Sequence, residues 1–239
     1  MAHQPPICLY ELGAANGAHY SSYSWRTRMA LKHKGLDFDT VPVRISDKAA
    51  IAFSGQGKVP ILRIGDAVVS DSWKIAIHLE AAFPDRASLF GGAHGEAVTR
   101  LVNATADRQW MAALAPVVAL SITQMLDAAD AAHLRAGFEK GFGKTLEEMH
   151  EARAASLKAF RRLLDPLRAT LRLQPFVCGA APAYADYILM GPLQWARIAY
   201  AEPVLEADDA LNDWFGRMLD LYGGFARAET PRALRTAGA

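Results

Sequence analysis

Apolar positions come in short blocks near the N-terminus and at helical spacing further on. "ICLYEL" (7–12) reads as a buried strand. Ser22 to Lys34 reads as a helix closed by "KHKG", where cations suit the helix C-terminal dipole and Gly35 suits the left-handed position. "FDTVPV" is a second strand, and Pro42 marks it as an edge or a strand end. "VPILRI" and "AVVS" flank Gly65-Asp66, a two-residue hairpin turn. From Ser72 to Phe83, Ile75, Leu79 and Ala82/Phe83 form a helical stripe. This gives β-α-β, then a β-hairpin, then α.

"AAFPDRASLFGGAHG" interrupts the pattern with Pro84, Gly91 and Gly92. Beyond it the periodicity is helical almost throughout. One long helix is expected from about Gly95 to Met125, bent at Pro116. "HLRAGFEKGFGKTLEEMHEA" reads as glycine-rich and irregular, and three amphipathic or buried helical segments follow it. The tail after Phe225 is expected to fray. The pattern predicts two units, an α/β unit over 5–86 and an all-helical unit over 93–230.

The 239 residues carry 51% hydrophobic and 21% charged side chains and a net charge of +1, so nothing in the charge points to nucleic acid or an anionic membrane. No apolar run reaches the roughly 20 residues that cross a bilayer, and "MAHQPPICLYEL" lacks the marks of a signal peptide. Cys8 and Cys178 form no CxxC and read as buried, inert thiols in a reducing, cytoplasmic setting. The seven histidines make no HxxxH, so no metal is expected. "GFGKT" is no phosphate loop, because Phe138 stands where its first glycine belongs and no strand precedes it.

Three stretches carry chemistry. "AHYSSYSWRTR" gathers hydroxyls where strand hands over to helix; Ser21 or Ser22 is either a helix cap or a thiol partner. "GKVPIL" puts Pro60 at the mouth of a hairpin strand. That placement suits a cis Val59-Pro60 bond, with the Val59 backbone free to pair with an extended peptide; plain strand entry is the alternative. In "SDSWKIAIHLE", Asp71 and Ser72 open a helix. They are either an N-cap or a site where helix N–H groups hold a carboxylate and Asp71 an ammonium. The topology brings all three to one sheet edge. Together they describe a small peptide with an amino-acid head and a cysteine facing the serines.

"SSYSWRTRMALKHKG", "KVPIL", "DSWKIAIHLE", "AFPD" with "LFGG", and "APAYADYI" resemble the glutathione transferase superfamily over nearly the whole chain. The resemblance implies a thioredoxin-like domain followed by a helical bundle, with glutathione as co-substrate, a small-molecule electrophile as acceptor and a homodimer. It makes Ser21 the catalytic serine. Val59 and Pro60 become the clamp on the cysteinyl unit, and Asp71 and Ser72 the γ-glutamyl site. Lys58 becomes a contact to the peptide that reaches toward the glycyl carboxylate. The motifs look like bacterial β-etherase-type and fungal serine transferases. "SSYSWR" also resembles the zeta class, the maleylacetoacetate isomerases, although Tyr23 replaces their cysteine. A non-catalytic glutathione-binding module is a further alternative. Acceptor-pocket residues are expected at the start of the first helix and near Trp110, Met111 and Leu114, where packing is the competing role. Ala183 departs from the usual capping Ser/Thr before Asp186.

Overall fold

The computed structural model describes residues 5–236. β1 (Ile7–Leu12), α1 (Ser22–His33) and β2 (Asp39–Val43) form a parallel β-α-β unit. A 3₁₀ turn (Ala49–Ser54) leads to β3 (Ile61–Ile64) and β4 (Ala67–Ser70), then α2 (Ser72–Ala82). The four strands run in the order β2-β1-β3-β4, with β3 antiparallel to both neighbours. Pro42 sits on edge strand β2, where its missing N–H costs no ladder bond. Gly65 turns the hairpin at φ 55°, pairing Ile64 with Ala67.

Ile7, Leu9 and Glu11 alternate with half-buried residues, so one face of β1 is buried throughout. Behind it α1 packs Trp25, Met29 and Leu31, and α2 packs Ile75 and Leu79, in the same core. Glu11 is an acid in an apolar row. Arg28 satisfies it with a bidentate pair at 2.7–3.0 Å, and His19 Nδ1 lies 3.1 Å away. On the opposite side a smaller cluster joins Val43, Ile51 and Ile61 with Tyr10 and Val59, so the 3₁₀ turn covers the sheet near Val59.

Every named element from Ala93 onward is helical. The long helix divides into α3 (Ala93–Thr105) and α4 (Met111–Thr123), joined by one π turn (Ala106–Trp110). The expected irregularity is therefore this turn, and Pro116 lies inside regular α4. The segment expected to be irregular is largely helical: α5 (Ala128–Phe142) and α6 (Leu146–Glu151). Gly137 and Gly141 each cost a helix about 1 kcal/mol. Against that, Asp127 caps α5, Arg135 pairs with Glu139 and Glu147, and Leu134 and Phe138 pack on the core. Gly143 ends α5 at φ 64°. α7 (Arg153–Leu163) and α8 (Asp165–Leu171) follow, divided just before Pro166.

α9 (Tyr184–Ala199) is buried along almost its whole length and lies against α1. No hydroxyl caps it at Ala183; instead the buried Asp186 carboxylate accepts from the amides of Ala183, Val177 and Cys178 and from Trp214 Nε1. The two helices approach closely at Gly191. A Cβ there would lie 2.8 Å from the Ser22 carbonyl oxygen and 2.9 Å from Ser22 Oγ. Gly191→Ala is therefore expected to lower stability by about 1–3 kcal/mol, read from urea unfolding, because the Ser22 carbonyl is helix backbone and cannot retreat.

α10 (Leu211–Gly224) ends in a kink at Leu221–Gly223, after which Phe225 packs beside Trp25 of α1. The tail does not fray there: Gln194 and Arg197 of α9 donate to the carbonyls of Ala226 and Glu229, and a short helix α11 (Arg232–Thr236) follows. The two thiols are free, but Cys8 is only half-buried and Cys178 is exposed, contrary to the expectation that both are buried. No described helix is long and apolar enough to cross a membrane.

Candidate active site

Ser21 stands in extended conformation one residue before α1, and its Oγ accepts the Ser24 amide at 3.2 Å. The cap and the site reading are thus compatible: accepting one bond leaves the hydroxyl hydrogen free to donate. The loop before it is fixed by Trp25 Nε1 donating to the His19 carbonyl at 2.6 Å and by Ala14 bonding Ala18 at 2.9 Å. No acidic side chain occupies the first turn of α1, so the positive end of that helix is not offset locally. Ser22 faces the other way, buried against Gly191. Ser21, and not Ser22, lines the pocket beside the start of α1.

The Val59-Pro60 bond is cis. The β3–β4 ladder begins at Ile61 with Ser70, so Val59 lies outside it. The Pro60 carbonyl accepts the Asp71 amide at 3.1 Å, joining the proline turn to the start of α2. Asp71 adopts φ 82°, a left-handed backbone rare outside glycine. Its Oδ1 accepts from both Trp73 and Lys74 at 3.1 Å, so both capping bonds fall on one carboxylate oxygen. Ser72 is buried, and its carbonyl accepts the Tyr184 hydroxyl at 2.6 Å, anchoring the start of α2 to α9.

These residues surround one cleft of about 390 Å³, lined by Lys58, Val59, Pro60, Asp71 and Ser72 together with Tyr23, Gln56, Ser70, Lys74 and Asp107. A second pocket of about 190 Å³ carries Ser21 and shares Tyr23, Lys58 and Val59 with the first. Its walls are mostly apolar, with Leu12, Val43, Ile51 and Leu134 among them. All six residues expected from the sequence border one or other of these two neighbouring spaces.

Asp107 and Leu134 were not foreseen. Asp107 sits on the π turn and reaches the cleft held by Arg26 at 2.8 Å and Asn103 at 3.0 Å. Arg26 is fully buried and lies 4.6 Å from the centre of the Tyr23 ring. Burial and the Asp107 charge push the Tyr23 phenol up, so it stays protonated at neutral pH. No sequence period marks a π turn, and Leu134 lies in the helix that the glycines concealed. Trp110 and Leu114 do not line either space. Trp110 packs edge-on against Phe160 and borders a separate, largely apolar cavity, and Leu114 is core, so neither contributes to these two spaces.

The N-terminal domain model of glutathione S-transferases matches residues 20–82, and the C-terminal domain model matches 97–223, more than half of the chain. Glutathione S-transferase Z2 of Arabidopsis thaliana is 33% identical over 101 residues, 40% of this chain and 43% of that protein. A zeta-class glutathione S-transferase of Euphorbia esula is 36% identical over 83 residues, 33% of this chain and 37% of that protein. These alignments thus span less than half the length of the curated relatives. Among solved structures, a glutathione transferase of Phanerochaete chrysosporium superposes with a TM-score of 0.76 at 23% identity, covering 98% of this chain and 97% of that one. A β-etherase of Sphingobium sp. strain SYK-6 gives 0.70 at 18%, covering 93% and 98%. A four-stranded mixed sheet followed by a helical bundle is their shared fold, and with both domain models matched in order, the chain belongs to the glutathione S-transferase family.

Proposed function

We propose that this protein binds glutathione and activates its thiol through Ser21 for attack on an electrophilic small molecule. One observation carries the reading: Lys58, Val59, Pro60, Asp71 and Ser72 line a single cleft that shares Tyr23, Lys58 and Val59 with the pocket bearing Ser21. The γ-glutamyl carboxylate fits the N-terminus of α2, and its ammonium fits the Asp71 oxygen not used in capping. The cysteinyl backbone pairs with Val59, and Lys58 meets the glycyl carboxylate. The thiol then faces the Ser21 hydroxyl and the start of α1. Lowering a thiol pKa by about two units needs roughly 2.7 kcal/mol. One charge-assisted hydrogen bond and a helix dipole supply that order of magnitude.

The apolar walls beside Ser21 suit an aryl electrophile, and an aryl ether is the acceptor this reading favours. Support comes from the fold shared with a β-etherase. The zeta-class names of curated relatives favour a second reading, isomerisation of a maleyl-type double bond. Tyr23, in place of the cysteine of that class, speaks against it. A homodimer in the cytoplasm is the setting expected for this activity.

Calorimetric titration with glutathione tests the site. Asp71→Asn keeps a capping oxygen and tolerates the left-handed backbone, but removes the charge. It is expected to weaken glutathione about tenfold with little change in Tm. Unchanged affinity would remove Asp71 from the site.

A further inference from the structure

The N-terminal end of α5 reaches across to the first unit. Asp130 is 1% exposed and lies in the first turn of α5. Its two oxygens accept backbone amides of the loop after β2: Ile45 at 3.1 Å and Ser46 at 2.8 Å. Arg44 in the same loop pairs with Asp127 and lies 3.9 Å from Asp130. A little further along, Lys48 Nζ donates to the Gly57 carbonyl at 2.9 Å, immediately before Lys58 and Val59. Arg44, Ile45 and Lys48 form a wall of the Ser21 pocket, and Leu134, one turn beyond Asp130, forms another.

We propose that Asp130 is a positioning residue of the site: it fixes the loop after β2 and, through Lys48 and Gly57, the backbone that clamps the peptide. The inference rests on the glutathione-binding reading. A buried carboxylate spent on two loop amides holds this segment more firmly than its own contacts do. The loop contributes few buried residues, Ile45 and Ile51 among them, while Asp47, Lys48 and Ala49 are exposed. Small displacements of such a wall change binding out of proportion to their size.

The test uses Asp130→Ala and Asp130→Asn in the full chain. Amide exchange at Ile45 and Ser46 reads the clasp, and steady-state kinetics read the site. In Asp130→Ala both amides are expected to lose protection, and KM for glutathione to rise roughly tenfold while saturated kcat stays within about threefold. Asn retains one acceptor and is expected to raise KM roughly threefold; it also serves if the alanine variant does not fold. Deprotected amides with unchanged KM would overturn the positioning role, as would amides that remain protected. A wild-type protein that binds no glutathione would overturn the functional reading and this role together, and that result appears before any variant is made.

Discussion

Ser21→Ala is expected to lower kcat with an activated chloroarene roughly 10- to 100-fold at neutral pH. KM for glutathione should move less than about threefold, because Val59, Asp71 and Ser72 hold the peptide elsewhere in the cleft. The physical cause is the loss of one hydroxyl donor facing the sulfur. A free thiol has a pKa near 8.5 and is only a few per cent ionised at pH 7. A shift of about two units makes the thiolate the major form. The same substitution removes the acceptor for the Ser24 amide and is expected to cost about 1 kcal/mol of stability. Rates should therefore be compared well below the melting temperature. Equal initial rates in the two proteins would end the catalytic role of Ser21 and leave it a helix cap.

The largest expected effect on stability is at Arg28. Arg28→Ala leaves the fully buried Glu11 carboxylate with only His19 beside it and strips a side chain that lies against both the Trp25 and Phe225 rings. Breaking a buried pair from one side costs about 3–5 kcal/mol, and the lost packing adds to this. Burial by itself would raise the Glu11 pKa, but hydrogen bonds from His19 and Arg28 and the Arg28 charge override it and hold the carboxyl below its ordinary value of 4.5. A depressed carboxylate stabilises the folded state above its unfolded pKa, and that contribution disappears as pH falls through the folded one. In the variant the unpaired carboxyl shifts upward instead. Urea unfolding of both proteins from pH 7 to pH 4 should therefore show the gap narrowing as pH falls. A gap that is constant with pH would assign the loss to packing alone.

Much of the site was legible because its signals are local. Hydroxyls before a helix, proline at a strand mouth and an acid–serine pair opening a second helix each depend on a few neighbouring residues. The topology then places them together. The hairpin at Gly65-Asp66 and the edge position of Pro42 were legible for the same reason. What the sequence concealed depends on distant partners. Helix α5 persists through Gly137 and Gly141 because its cap, its ion pairs and its packing outweigh propensity. Asp107 reaches the cleft because one turn of a helix widens, which no apolar period records. The segment 226–229 is held by side chains of α9 that read only as core residues. Trp110, expected on the long helix beside the acceptor pocket, has its ring taken up by Phe160 instead.

Thiol activation by Ser21 is read directly from the ultraviolet absorbance of thiolate in the glutathione complex as pH is raised, in wild type and in Ser21→Ala. The wild-type complex is expected to hold a thiolate that titrates about two units below the free value near 8.5, with a return toward that value in the variant. A complex that forms but titrates like free glutathione would contradict it and make this member of the family a binding module without thiol activation.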